Sequence, residues 1–281
     1  SKLKEKKCVL IGKTTLDELA MGGTGTTGHK GITYNPYTPE RTHMMGGSSC
    51  GSAAATALGI APFALGSDTG DSVRKPASFG GLVGVKPTWG RISRYGLFPF
   101  APSLDHVGYF TRCVDDAAIV LEALSGRDFM DATSSEKPVE SYADGLNASI
   151  KGKKIAIIKE ITDSISDPAV LKAFNASILA LKNEGAEIEY VEFGAKELEA
   201  IYAAYMVISC AEATSNDANL DGIKFGPYQG GNTYQEVMSN ARTKGFSELI
   251  KRRFVIGSFA LMRENQDVLF RRAQKARSKI V

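Results

Sequence analysis

Between Gly46 and Pro87 the chain reads GGSSCGSAAATALGIAPFALGSDTGDSVRKPASFGGLVGVKP, and the serines of that stretch are the groups best suited to do chemistry. Ser48 and Ser49 sit in one glycine-rich turn, and Ser72 closes a second, 24 positions after Ser48. Glycine enters positive-φ conformations at little cost, so the turn Gly66-Ser-Asp-Thr-Gly-Asp71 can aim consecutive backbone N–H groups into a cavity. A serine next to such donors is the layout for covalent acyl transfer, a nucleophile beside an oxyanion hole. Two blander readings compete. Gly-Ser turns are mostly plain loops, and a helix start after glycine can hold phosphate. Within this stretch neither the dinucleotide pattern GxGxxG nor the P-loop pattern GxxxxGK[ST] occurs.

The elements that must position these serines can be read around them. Ser52 to Gly59 is an Ala-rich helical pattern, and Phe63-Ala64-Leu65 is a short apolar run. Upstream, Cys8 to Gly12 reads as a strand and Thr14 to Leu19 as a short capped helix, followed by a long polar loop, Gly22 to Tyr37. Val114 to Leu124 reads as a helix stopped by Gly126, and residues 134–152 as a connector. KKIAIIKE (153–160) predicts a strand. Asp167 and Pro168 cap a helix with an apolar stripe at Leu171, Phe174, Ile178 and Leu181, and AEIEYVEF (186–193) alternates as a half-buried strand. A strand–helix–strand unit of this kind predicts a parallel pair and an α/β layer fold. Residues 196–216 read as a long helix, and 244–281 as two more, the last rich in Arg and Lys.

Composition narrows the function classes. The 281 residues are 43% hydrophobic and 23% charged, ordinary for a globular protein with a sizeable core. A net charge of +3 argues for neither nucleic acid nor an anionic membrane surface, so the basic last helix reads as a solvated face rather than a tRNA-binding one. The apolar runs fall well short of the roughly 18 residues of a membrane span. Four scattered cysteines without CxxC spacing predict free thiols in a reducing compartment, a cytoplasm or an organellar matrix. His29 and His43 have no recognisable acidic partner in sequence and read as solvated loop histidines. The chain opens on Ser1, as a piece of something longer would.

The motifs are specific enough to suggest a family. GGSSCGSAAA, then LGSDTGDSVRKPASFGGLVGVKPTWGR, resembles the amidase signature GGSSGGSAAA, G-[ST]-D-x-G-G-S-[IV]-R-x-P and G-x-K-P-[TS]-x-G-R. IGKTTLDELAMG and RISRYGLFPFAPSLDHVGYFTR are similar to flanking segments of the same family. The resemblance implies an α/β/α layer fold with a central mixed sheet, incomplete here at both ends. It also implies a Ser-cisSer-Lys mechanism. Ser72 corresponds to the nucleophile, Ser48 to the bridging serine after a cis peptide bond, and the backbone N–H groups of Thr69, Gly70 and Asp71 to the oxyanion hole. Farther on, AYMVISCAEATSNDANLDGIKFG and KGFSELIKRRFVIGSFAL resemble the branch that supplies glutaminase (A) subunits to glutamyl-tRNA(Gln) amidotransferases. That branch implies glutamine as substrate, with Tyr205 and Arg253 in its pocket. It implies B and C partner subunits, with Glu-tRNA(Gln) contacted mainly through B. No metal or cofactor is implied here, since ATP and Mg²⁺ serve the B subunit.

Three departures from the family pattern set further expectations. Asp71 stands where the family has glycine, so its carboxylate would face a developing oxyanion unless it points away. Cys50 replaces the glycine after the serine pair, a small change. The family's catalytic lysine lies upstream of the IGKT segment, before residue 1, and a C-terminal part with a substrate-binding carboxylate would follow residue 281. Lys13, Lys75 and Lys86 lie where the family's lysines are structural. The expectation is therefore one amidase-type domain over 1–281, a fragment without those two regions and inactive by itself. Two alternatives stay open: a general amidase acting on free amides, and a degenerate scaffold without catalysis.

Overall fold

The computed structural model describes residues 2–281. Helix α1 (Lys2–Glu5) leads into a segment with no regular structure. The strand expected at Cys8–Gly12 does not form. Val9 and Leu10 are 83% exposed and pair with no strand among the described residues, and an unpaired extended run leaves its backbone groups to water. The helix expected at Thr14–Leu19 shrinks to a 3₁₀ turn, Glu18–Ala20. Within that segment Asp17 is wholly buried and accepts hydrogen bonds from the amides of Thr24, Gly25 and Thr27, which draws the chain into a loop.

The serine-bearing half is built from α2 (Cys50–Ala57), β1 (Phe63–Asp68), α3 (Arg74–Phe79), β2 (Val83–Val85) and β3 (His106–Thr111). The strands form an antiparallel sheet in the order β1-β3-β2, with Leu65 and Val85 both opposite Tyr109. Side chains alternate across a strand, so β3 feeds two cores. Phe110 packs with Met45, Ala53, Val73 and Ala77 under α2 and α3. Tyr109 faces the other way, onto Ala117, Val120 and Leu124 of α4 (Val114–Leu124).

Next come β4 (Lys154–Ile158), α5 (Lys159–Asp163), α6 (Pro168–Asn183) and β5 (Glu187–Val191). β4 and β5 pair in parallel, Lys154 opposite Glu187, with α6 as the crossover. Asp167 Oδ1 caps α6 by accepting from Ala169 N at 2.7 Å and Val170 N at 3.2 Å, with Pro168 at the first turn. Of its four stripe residues only Ile178 is buried. The α/β class holds, with antiparallel and parallel pairing in separate sheets.

The remaining helices are α7 (Ala195–Asn216), α8 (Tyr234–Gly245), α9 (Glu248–Leu261) and α10 (Arg272–Ile280). α7 packs against both α9 and α10. Ala213 of α7 and Ile250 of α9 share a core with Met21, Phe100 and Ala101. Those last three lie on loops of the first half, so this contact brings the helices up to the serine turns. No described helix is long and apolar enough to cross a membrane.

Candidate active site

The turn carrying Ser72 is clamped at its start by the residue that ends β1. Asp68 is wholly buried, and its Oδ2 accepts from Val73 N at 3.0 Å, Arg74 N at 3.3 Å and Arg74 Nε at 3.2 Å, while Oδ1 accepts from Arg74 Nη2 at 2.9 Å. One carboxylate thus ties the strand end to the residues after the serine. Burial alone would raise the Asp68 carboxyl, but the Arg74 and Val73 hydrogen bonds outweigh it and hold it below the ordinary carboxylate range. Inside the turn, Thr69 Oγ1 donates to Asp105 Oδ1 at 2.6 Å. Asp105 is buried and also accepts from the amides of Phe100 and Ala101.

The first serine turn is held against the second. Ser49 N donates to Ser72 O at 3.2 Å, and Asp17 N to Ser48 O at 3.0 Å. A Cβ placed on Gly47 would lie 2.0 Å from Asp17 Oδ2, so only glycine fits there. The Gly47–Ser48 peptide bond is cis, the bond that the resemblance implied. Ser48 is wholly buried, and its hydroxyl has no hydrogen-bond partner among the described residues.

Two motif matches near these turns lie outside that reading, and their geometry explains them. Gly47, Ser49 and Gly51 have the GxSxG spacing of a nucleophile elbow. Ser49 Oγ, however, donates to Ser67 O and accepts from Ser67 N, both at 3.1 Å, which fastens β1 to the start of α2. Gly23, Gly25 and Gly28 have the GxGxxG spacing. The amides of that loop are spent on the Asp17 carboxylate, not presented to a phosphate.

Thr69, Gly70, Asp71, Ser72, Tyr205 and Arg253 all line one cavity of about 520 Å³; Ser48 lies outside its lining. Thus α7 and α9 bring residues from beyond position 200 to the Ser72 turn. The contact is close: a Cβ on Gly70 would lie 2.9 Å from Tyr205 Oη. Burial raises the Tyr205 phenol above its usual range, against the pull of the Arg253 charge, so it remains a neutral hydrogen-bonding group. Arg253 has no carboxylate partner among the described residues. Its Nη1 lies 3.7 Å from Met206 Sδ and 4.0 Å from Cys210 Sγ, and its guanidinium stacks 5.7 Å above Phe100. Arg252 beside it is exposed. An uncompensated guanidinium in a half-buried cavity is a site for an anionic group.

The Asp71 carboxylate does not stand alone. Its Oδ2 is 2.7 Å from Lys75 Nζ. That contact engages Lys75 as an ammonium, and Lys86 Nζ is set against His106 Nε2 at 3.5 Å, while Lys13 is exposed. None of the three hydrogen-bonds to Ser72 among the described residues. His29 and His43 are exposed and do not line the cavity. Among the described residues no group of three or more His, Cys, Asp or Glu could hold a metal. Asp17, Asp68 and Asp105 were not singled out from sequence. Their one signal was an Asp in or near a turn, most plainly Asp68 in Gly66-Ser-Asp-Thr-Gly70, a pattern that local spacing cannot tell from ordinary turn chemistry.

The comparisons agree along the whole chain. The Amidase family model matches residues 1–281. The chain is 44% identical over 277 residues to the A subunit of glutamyl-tRNA(Gln) amidotransferase from Akkermansia muciniphila, covering 98% of this chain and 58% of that one. It is 43% identical to the corresponding protein of Latilactobacillus sakei, covering 100% of this chain and 57% of that one. The crystal structure of the Thermotoga maritima counterpart superposes with a TM-score of 0.79 at 39% identity, over 99% of this chain and 55% of that one. The chain therefore spans little more than half the length of these relatives. By its motifs, its fold and these matches, the chain belongs to the amidase family.

Proposed function

We propose that these residues form the nucleophile-bearing part, a single amidase-type domain, of the glutaminase component of a tRNA-dependent amidotransferase converting Glu-tRNA(Gln) to Gln-tRNA(Gln). One observation carries this reading. Ser72 and its turn amides share a cavity with the uncompensated Arg253 and with Tyr205. Glutamine matches both ends, with a side-chain amide for the serine and an α-carboxylate for the guanidinium. In the reaction Ser72 Oγ attacks the amide carbon, the N–H groups of the Thr69–Asp71 turn take up the developing oxyanion, and ammonia leaves. Water then releases glutamate from the acyl-enzyme.

The proton from Ser72 passes through Ser48, whose buried, unpartnered hydroxyl can accept on one side and donate on the other. The final base, by the resemblance a lysine outside these 281 residues and neutral when buried, returns that proton through Ser48 to the departing nitrogen, which leaves as ammonia. Ammonia goes to a B subunit that activates the tRNA-bound glutamate with ATP and Mg²⁺, with a C subunit completing the assembly. No metal or cofactor is called for in the amide cleavage itself. The site of action is where Glu-tRNA(Gln) is found, a cytoplasm or organellar matrix. The relatives, each named as the A subunit of that amidotransferase, support this assignment over a general amidase.

The test uses the full-length protein assembled with its partner subunits. Glutamine hydrolysis should require Ser72 and rise when ATP and charged tRNA are supplied. Full-rate cleavage of free amides without any partner would favour a stand-alone amidase. Absence of any Ser72-dependent turnover would favour a scaffold.

A further inference from the structure

Asp71 departs from the family's Gly-Gly-Ser pattern at the position immediately before Ser72, and it lines the same cavity. The two residues preceding the serine differ in what they can carry. Position 70 is closed by Tyr205, whereas the side chain at 71 is 47% exposed and opens into the cavity. A free carboxylate there would repel a developing oxyanion and oppose the donors of the turn. The carboxylate is engaged one helical turn farther on. Lys75 N donates to Asp71 O at 2.8 Å, and Lys75 Nζ lies 2.7 Å from Asp71 Oδ2 and 3.4 Å from Gly23 O. The ammonium thus pulls the carboxylate toward α3 and the Gly22–Gly23 edge of the cavity.

None of the other cations nearby forms an ion pair with Asp71 among the described residues. Arg74 is bound to Asp68 and to Gly70 O. Arg253 lies against Met206 and Cys210, and Arg277 Nη1 donates to Ser103 Oγ.

We infer that Lys75 is a positioning residue for the reaction at Ser72: it draws the Asp71 carboxylate off the oxyanion site and offsets its charge, which keeps a turn with an acid beside its nucleophile usable. This rests on the amide-cleaving role proposed above for Ser72. The pair is half-exposed, so its effect is smaller than that of a lost oxyanion donor, about tenfold on rate.

Two readouts in the full-length protein with its partner subunits test it. One is glutamine turnover. The other is labelling of Ser72 by a small sulfonyl fluoride, in which the serine oxygen bonds to sulfur, fluoride leaves and the serine proton passes to the base; this needs no glutamine. Lys75→Met should slow both about tenfold with little change in KM, and Lys75→Arg should keep most of the rate. Asp71→Gly should be faster than the parent, and Lys75→Met in the Asp71→Gly background should change little. Equal losses from Lys75→Met with and without Asp71→Gly would overturn the inference, because Lys75 would then act on something other than Asp71. No loss in the parent background would overturn it as well. If no variant turns over glutamine but the labelling rates follow the expected order, the substrate reading falls and the role of Lys75 stands.

Discussion

The Ser72 turn and the α7–α9 helix pair hold two sides of one cavity by different physics. The turn is fixed by polar backbone contacts: Asp17, Asp68 and Asp105, each nearly or fully buried, gather amides from the loops around the serines. The helix pair is fixed by apolar packing, through Ala213, Ile250 and the loop residues Met21 and Phe100. Amide–carboxylate contacts are directional and set atoms to within fractions of an ångström, as a developing oxyanion requires. Apolar packing is less directional and sets a spacing between helices, which suffices to present a guanidinium and a phenol. Damage to the turn should therefore appear in kcat, and damage to the helices in KM.

The largest expected effect lies within the turn. Ser72→Ala in the full-length assembly should lower glutamine turnover at least ~10⁴-fold and abolish acyl-enzyme formation, measured by trapping with labelled glutamine. A loss under tenfold would remove the turn from the chemistry. Gly70→Ala tests the point where the two regions touch. Its Cβ would lie 2.9 Å from Tyr205 Oη, so both kcat and KM should suffer, with kcat/KM falling about 100-fold. A change confined to KM would mean that the helix yields and the turn does not.

A smaller effect is expected on the helix side. Arg253→Lys should raise the KM for glutamine about 10- to 100-fold, since an ammonium cannot copy the two-pronged grip of a guanidinium. Use of free ammonia by the assembly should be unchanged. Equal losses with glutamine and with ammonia would assign Arg253 to the fold instead.

The smallest effect is on stability. Asp217 at the end of α7 is 1% exposed, and neither carboxylate oxygen has a hydrogen-bond partner among the described residues. Burial, with Asp105 nearby and only partly offset by Arg242, pushes its pKa up to about 7. The folded protein therefore keeps a proton that the unfolded chain loses near pH 4, so stability falls as pH rises from about 4 to 7. Asp217→Asn should remove that slope and raise stability at pH 8 by up to about 4 kcal/mol, with little change at pH 4. Denaturant melts at the two pH values would show it. Gain of the same size at both would mean that the site is limited by shape, not charge.

Legibility followed the same division. The serine turns were readable because glycine and serine clustered over a few residues are a local turn signal, whereas the approach of Asp17 to Gly47 and of Tyr205 to Gly70, which leaves room only for glycine, came from the tertiary structure. α4, with its stop at Gly126, and the β4–α6–β5 unit were readable because period and caps are local signals. The Cys8–Gly12 strand was misread because an apolar run specifies a strand only together with a partner, and none pairs with it among the described residues. The Thr14–Leu19 helix was misread because the carboxylate of Asp17 within it is taken by amides of a loop up to ten residues away, a contact that local pattern does not show.

By itself the sequence offered the candidate reactive groups and several of the elements that carry them, because hydroxyls, glycines and helix caps act within a few residues of the chain. Arg253 and Tyr205 could be tied to Ser72 from sequence only by resemblance, since nothing local links positions 181 and 133 residues away. The tertiary structure decided that they line the cavity of Ser72, that Arg253 has no carboxylate partner among the described residues, and that Asp71 is held by Lys75. Cavities and charge balance are sums over segments brought together in folding. No stretch of the chain contains them alone.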